Sequence, residues 1–279
     1  MYKGRENVQV FERNGSVYLE DTECLNIEVS LDCGQAFRFS ERDDGGFHGV
    51  AYGKILDVKR TGTGYEFEHT TIDEFEKIWR KFFDLDRDYR KITDSFDDEY
   101  LIKAKNEYDG IRILRQEPWE ALCSFIISQN NNIPRIKGIV SRLCEGFGER
   151  LGESDFSFPS YDKLYDKTVD DLAPLRAGFR AKYILDAAQK VRSGEVRLYE
   201  ASEMPIEEAR QELMIIKGVG AKVAECTLLY GLGRMEAFPV DVWVKRIMTE
   251  MYPQGLPECT RGVEGIAQQY LFHWRRNLK

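Results

Sequence analysis

From residue 7 to residue 69 apolar and polar side chains alternate, with breaks at Asn14-Gly15, Asp43-Asp44-Gly45-Gly46 and Gly62 to Gly64. A period of two places successive side chains on opposite faces of a pleated chain. Glycine beside asparagine or aspartate supplies the turn conformations that hairpins need, so this stretch predicts antiparallel strands. From Thr71 the period lengthens to that of a helix: Phe75, Ile78, Trp79 and Phe82 fall on one stripe, read as core rather than function. Short helices continue to the end of the chain, one of them from Pro205 to Ile216, with no low-complexity segment and no repeat. The expected architecture is α+β, a small antiparallel sheet in residues 1–112 packed beside a mostly helical domain in residues 113–279. The cleft between them is the expected active site.

The window Leu213 to Asp241, LMIIKGVGAKVAECTLLYGLGRMEAFPVD, carries the most chemistry. Ile216-Lys217-Gly218-Val219-Gly220 reads as a tight turn between two amphipathic helices, because glycine takes positive φ without cost and lets a foreign backbone approach. The turn offers amide N–H groups at a helix N-terminus, where the dipole favours a phosphate oxygen. Taken alone, it is equally a plain helical hairpin. Lys222 stands in the first turn of the second helix, where a cation opposes the dipole and adds no stability. After the apolar run Val223 to Leu232 and a loop comes Asp241, before VWVKRIM. Aspartate is a favoured N-cap, and a carboxylate held by helix N–H groups stays ionised, so capping and stabilising a nearby positive charge coexist.

Three other segments stand out. Leu114-Arg115-Gln116-Glu117-Pro118-Trp119-Glu120 leads into ALCSFIISQNNNIPRIKGIVSRLCEGFG, where Trp119, Leu122 and Ile126 keep helical spacing. Gln129 to Asn132 is a polar break, and Ile133-Pro134 opens a second helix with Ile136, Val140 and Leu143 inward. Four amides between two apolar helices are costly if buried unpaired, so on these residues alone the break is a solvated loop. Leu31-Asp32-Cys33-Gly34-Gln35-Ala36-Phe37-Arg38-Phe39 places a glycine that is at least a strand-end turn, and Gly265 to Phe272 is a helical run in which Gln268 and Phe272 stand at i, i+4.

Together these four segments resemble the 8-oxoguanine DNA glycosylases of the helix-hairpin-helix, Gly-Pro-Asp superfamily, and the resemblance runs from roughly residue 5 to roughly residue 276. It implies a base-excision repair enzyme that flips 8-oxoguanine out of duplex DNA, cuts its N-glycosidic bond through a lysine Schiff base and nicks the strand by β-elimination. Lys222 is then the nucleophile, a residue that monofunctional relatives lack, and Asp241 the charge-stabilising carboxylate. Gly34 offers its carbonyl to N7–H of the oxidised base, Gln268 meets the base edge, and Phe272 and Cys226 cover its two faces; for the last three, ordinary helix packing is the alternative. Asn130 and Arg135 fill the gap and read the opposite base, with Phe179 as wedge and Arg180 beside it. Gly218, Gly220, Lys217 and Lys245 meet the DNA backbone. Two positions depart from the family. Trp243 replaces a histidine that touches a phosphate, and Phe179 replaces a tyrosine, keeping the ring and losing the hydroxyl. The implied chemistry requires no diffusible cofactor and no catalytic metal, though hairpin carbonyls offer a place for a monovalent cation.

The formal net charge of −8 opposes this reading until it is localised. Residues 111–279 hold 24 Lys and Arg against 23 Asp and Glu, so the acidity lies in the first 110 residues, whose net charge is −9. DNA binding needs a local basic face, for which Arg135, Lys137, Arg180, Lys182, Lys217, Lys245 and Arg246 are the candidates. Six cysteines, at 24, 33, 123, 144, 226 and 259, form no CxxC pair and lack the quartet of iron–sulfur glycosylases; reduced thiols are expected. No 18-residue apolar run and no signal-peptide pattern appear, so a protein working where it is made, in the cytoplasm and nucleoid or in a nucleus, is expected; it is expected to act as a monomer. A non-enzymatic hairpin module on duplex DNA would leave Lys222, Asp241 and Gly34 without purpose, and a small-molecule enzyme would leave the hairpin purely structural. An alkylated-base glycosylase using Asp241 alone would not need Lys222.

Overall fold

The computed structural model describes residues 9–278 apart from 21, 23 and 63. The alternating region forms one six-stranded antiparallel sheet from β1 (Gln9–Arg13), β2 (Ser16–Glu20), β3 (Phe39–Glu41), β4 (Phe47–Ala51), β5 (Lys54–Arg60) and β6 (Gly64–Glu68), in the order β1-β2-β6-β5-β4-β3. Register pairs Val17 with Phe67 and Val58 with Phe67, so the central strands lay their apolar residues on one face. The Asn14-Gly15 hairpin has both residues at positive φ, 54° and 76°, as the two-residue turn requires. The third turn includes Thr63, which lies outside the described residues, as do residues 7 and 8 of the alternating stretch.

Two elements differ from the alternation. Residues Ile27–Asp32 form a short helix, capped where Asn26 Oδ1 accepts the Val29 N–H at 3.1 Å. An N-cap side chain satisfying an orphan N–H overrides the local pattern. The β4–β5 turn is Tyr52-Gly53, with Tyr52 at φ 52°. A tyrosine gives no turn signal, and its unfavourable backbone is held by tertiary contact, the phenol donating to the Arg115 carbonyl at 2.7 Å.

The inner face of the sheet is closed by the Phe75 stripe. Phe75, Trp79, Phe82 and Phe83 are fully buried, with Phe67 edge-on to Phe75 at 5.0 Å, while Ile78 sits half-buried at the margin. A second, larger core fills the helical part. The packing crosses the expected division at residue 112: Cys33, Phe37, Tyr89, Phe96 and Leu101 belong to the helical core, whereas Leu114 belongs to the sheet's. The N-terminal half thus reaches into the helical core through Cys33 and Phe37, on either side of Gly34. Among the described residues no helix is long and apolar enough to cross a membrane.

Candidate active site

The helix Ile206–Met214 and the helix Ala221–Cys226 flank the glycine turn. Gly218 has φ +80°, and a Cβ there would overlap the Tyr183 ring, so two independent constraints demand glycine. Gly220 faces open space, leaving its side of the turn accessible. Lys222 enters from the first turn as a half-buried side chain and donates from Nζ to Ser128 Oγ at 3.0 Å. Its ammonium lies 5.1 Å from the Phe125 ring centroid. That ring is stacked on Tyr230 at 5.2 Å, and the Tyr230 hydroxyl donates to Gln269 Oε1 at 2.6 Å. The lysine therefore rests on an aromatic floor that is itself hydrogen-bonded to the C-terminal helix Glu264–Asn277.

Asp241 caps the helix Val242–Glu250, its Oδ1 accepting from the N–H groups of Trp243 at 2.9 Å and Val244 at 2.8 Å. The loop before it is anchored from the lysine helix: buried Glu225 accepts the Phe238 N–H at 2.7 Å and also binds Arg210. Glu225 had no sequence signal beyond its charge, yet it ties the carboxylate's loop to the helix that carries Lys222.

Gly34, Lys222, Cys226, Asp241, Gln268 and Phe272, read separately from three segments, line one cavity. Gly34 has φ +89°, and both carbonyls beside it are taken by side-chain amides: Gln269 Nε2 donates to Cys33 O at 3.3 Å and Gln116 Nε2 to Gln35 O at 2.7 Å. Gln35 is itself buried, donating to Arg112 O at 2.7 Å and accepting from Leu114 N at 2.9 Å. Gly34 is thus pinned on both sides. Gln268 is only 4% exposed, and its Oε1 has no hydrogen-bond partner among the described residues. A buried acceptor left unmade carries a free-energy cost that a ligand donor would remove. Burial pushes the Cys226 thiol up to about 11 against the lowering influence of nearby Lys222, so this wall is a neutral thiol.

The polar break is a tight, locally satisfied loop. Gln129 donates to Ile126 O, Asn131 to Ile127 O, and Asn132 caps the next helix by accepting from Arg135 N at 3.0 Å. Asn130 stands exposed at φ 46°, Arg135 is exposed, and Phe179 is 43% exposed, so all three project to solvent. Arg180 differs from the expectation of a phosphate partner. It is 2% exposed, and its guanidinium is spent on the carbonyls of Ala177, Gln129 and Asn130. It buttresses the loop that presents Asn130. Lys137 is likewise committed, donating to the Phe39 carbonyl at 2.8 Å and lying 3.5 Å from Asp32. Lys182, Lys217, Lys245 and Arg246 are exposed, the Lys217 N–H donating to Asp186 at 2.7 Å and Arg246 packing 5.3 Å over the Trp243 ring. Among the described residues the cysteines form no disulfide, and no cluster of His, Cys, Asp or Glu able to hold a metal occurs.

Two family models account for most of the chain, the 8-oxoguanine DNA glycosylase N-terminal domain over residues 17–122 and the HhH-GPD superfamily base excision DNA repair protein over residues 123–256. The fold and cavity thus define a helix-hairpin-helix base-excision protein. The solved structure of MBOgg1 in complex with a low-affinity DNA ligand superposes with TM-score 0.90 at 40% identity, covering 97% of this chain and 98% of that one. The Clostridium acetobutylicum 8-oxoguanine glycosylase/lyase, in complex with double-stranded DNA containing cytosine opposite 8-oxoG, does so with TM-score 0.90 at 35% identity over 96% and 97% of the two chains. The Saccharomyces cerevisiae N-glycosylase/DNA lyase is 37% identical over 62% of this chain, a match spanning 50% of the yeast protein's length. The chain belongs to the 8-oxoguanine DNA glycosylase family and is an enzyme of the N-glycosylase/DNA lyase class.

Proposed function

We propose that this protein excises 8-oxoguanine from duplex DNA and then nicks the strand, with Lys222 as nucleophile and Asp241 as the electrostatic partner. The observation that carries this reading is the convergence of an amine, a carboxylate and an unpartnered buried acceptor in one cavity. A base inside the stack is out of reach, so the nucleotide must be flipped out, and exposed Asn130 and Phe179 are the groups that fill the space it leaves. As the glycosidic bond breaks, positive charge develops on the sugar, which Asp241 stabilises while the Lys222 lone pair forms a bond to C1′. The bonding pair of the old C1′–N bond departs with the base, which takes up a proton. Ring opening yields an iminium that acidifies C2′–H, and loss of that proton expels the 3′ phosphate. Side chains alone carry these steps. The backbone donors of the hairpin are assigned to a phosphate, and its carbonyls are the place offered to a monovalent cation. Borohydride reduction during turnover on an 8-oxoguanine duplex should leave the protein covalently attached to DNA; intact binding and base release with no adduct would remove the lysine Schiff base from this reading.

Lesion choice is assigned to Gly34 and Gln268. Guanine has no hydrogen on N7, so a carbonyl held at that edge meets a lone pair instead of a donor, and discrimination of at least about 2 kcal/mol is expected. 7-Deazaguanine, which lacks the N7 lone pair, should recover part of the lost pocket affinity; equal binding of guanine and its deaza analogue would remove Gly34 from the readout. Gly34→Ala should weaken lesion binding by a similar amount, since alanine is strained at φ +89° and its Cβ would crowd Arg276 at 3.3 Å.

The opposite strand falls to exposed Arg135, whose guanidinium fork suits the acceptor edge of cytosine. Phe179 adds stacking without reference to sequence, on the order of 1 to 3 kcal/mol. Arg135→Ala should flatten the preference for cytosine across four duplexes differing only in the opposite base, while Phe179→Ala weakens binding to all four alike. If cytosine is still preferred by Arg135→Ala, the readout moves to Asn130.

A further inference from the structure

We infer that Ser128 is the positioning residue that aims the Lys222 amine, an inference that rests on Lys222 being the nucleophile. Ser128 ends the helix Pro118–Ser128, and its hydroxyl proton is already given to the Phe125 carbonyl at 2.8 Å. The oxygen therefore turns its lone pairs outward and acts only as an acceptor toward Lys222 Nζ, 3.0 Å away. Below the same nitrogen lies the face of Phe125, 5.1 Å to its centroid, which attracts N–H hydrogens.

A neutral amine nitrogen has four tetrahedral directions: its own Cε, two N–H bonds and one lone pair. With one N–H on Ser128 Oγ and the other over the ring, the lone pair is left the fourth direction, and the open side of the site is the cavity that Lys222 shares with Asp241 and Gln268. The contact also survives the chemistry. The first adduct to C1′ keeps two N–H bonds and the protonated imine keeps one, so Ser128 has an N–H to accept at every stage while releasing no proton of its own. Without it the flexible lysine stem keeps only the weakly accepting Cys226 thiol as a side-chain partner, and orientation is lost before binding is. The residue escapes sequence inspection because it lies 94 positions from its partner, inside an apolar helix where a serine reads as filler.

The test compares wild type, Ser128→Ala, Ser128→Thr and Lys222→Gln on one 8-oxoguanine duplex, measuring single-turnover base release at saturating enzyme, the dissociation constant and the borohydride adduct. Ser128→Ala should release base roughly 10- to 10²-fold more slowly, with adduct formation slowed in parallel and duplex affinity unchanged. Ser128→Thr keeps the hydroxyl and should restore most of the rate. A packing role would move the melting temperature and not the rate of the bound complex, so a Ser128→Ala enzyme that releases base at the wild-type rate overturns the inference, as does a Ser128→Thr enzyme as slow as the alanine variant. Either result with an inactive Lys222→Gln leaves the nucleophile standing and removes Ser128 alone. An adduct at wild-type yield from Lys222→Gln removes the nucleophile, and this inference with it.

Discussion

Lys222→Gln is expected to bind a lesion duplex as tightly as wild type and to release no base and form no borohydride adduct. Glutamine nearly keeps the length of the stem, and its amide still offers an N–H to Ser128 Oγ and to the Phe125 face, so the cavity should hold its shape. What is removed is the basic lone pair. An amide nitrogen shares its lone pair with the carbonyl and does not attack C1′, so the loss should be of the chemical step alone, which a single-turnover assay separates from binding. An adduct at wild-type yield would falsify the assignment and send the search to another amine.

The second large effect is expected at Asp241, where substitution separates two roles that one carboxylate carries. Asparagine caps a helix about as well as aspartate, and its side-chain oxygen accepts from Trp243 N and Val244 N as Oδ1 does now. Asp241→Asn should therefore fold, bind duplex and keep its melting temperature, yet react roughly 10²-fold more slowly or worse, because a neutral amide no longer stabilises charge developing on the sugar. Asp241→Ala adds loss of the cap, costing about 1 kcal/mol of stability on top of the rate. A wild-type rate in the asparagine variant would reduce Asp241 to a helix cap.

The two variants divide the site along the line that separated what was visible in the residues from what was not. The glycine turn, the lysine after it and the capping aspartate lie within one window, and local chemistry made each legible: positive φ at Gly218, a cation where the dipole gives it no structural reason, a carboxylate at a helix start. Gly34 and Gln268 were legible only through resemblance, since a turn glycine and a helix glutamine have ordinary explanations. The residues that position them were not legible at all. Gln116 and Gln269 pin the backbone around Gly34 from opposite parts of the chain, and Glu225 holds the loop of Asp241. Arg180 and Lys137 differ from the phosphate partners expected of them for the same reason, because a basic residue in a DNA-binding context suggests phosphate until its guanidinium or amine is found spent on backbone carbonyls.

By itself the sequence determined the periodicities, and with them the strands and their tight turns, the Phe75 stripe and the hairpin, because each depends on neighbours two to four residues away, whereas pairing β2 with β6 joins residues some fifty positions apart. It also determined which residue types were available for chemistry. The helix at Ile27–Asp32 and the Tyr52 turn show where local pattern yields to caps and long-range contacts. Only the tertiary structure decided that Gly34, Lys222, Asp241, Cys226, Gln268 and Phe272 line one cavity, that Gln268 is buried with an acceptor unmade, and that Ser128 accepts from the amine. The physical reason is that hydrogen-bond satisfaction is an account closed over the whole fold. Whether a polar group is spent on structure or left for a ligand depends on partners scores of residues away, and no local pattern encodes them.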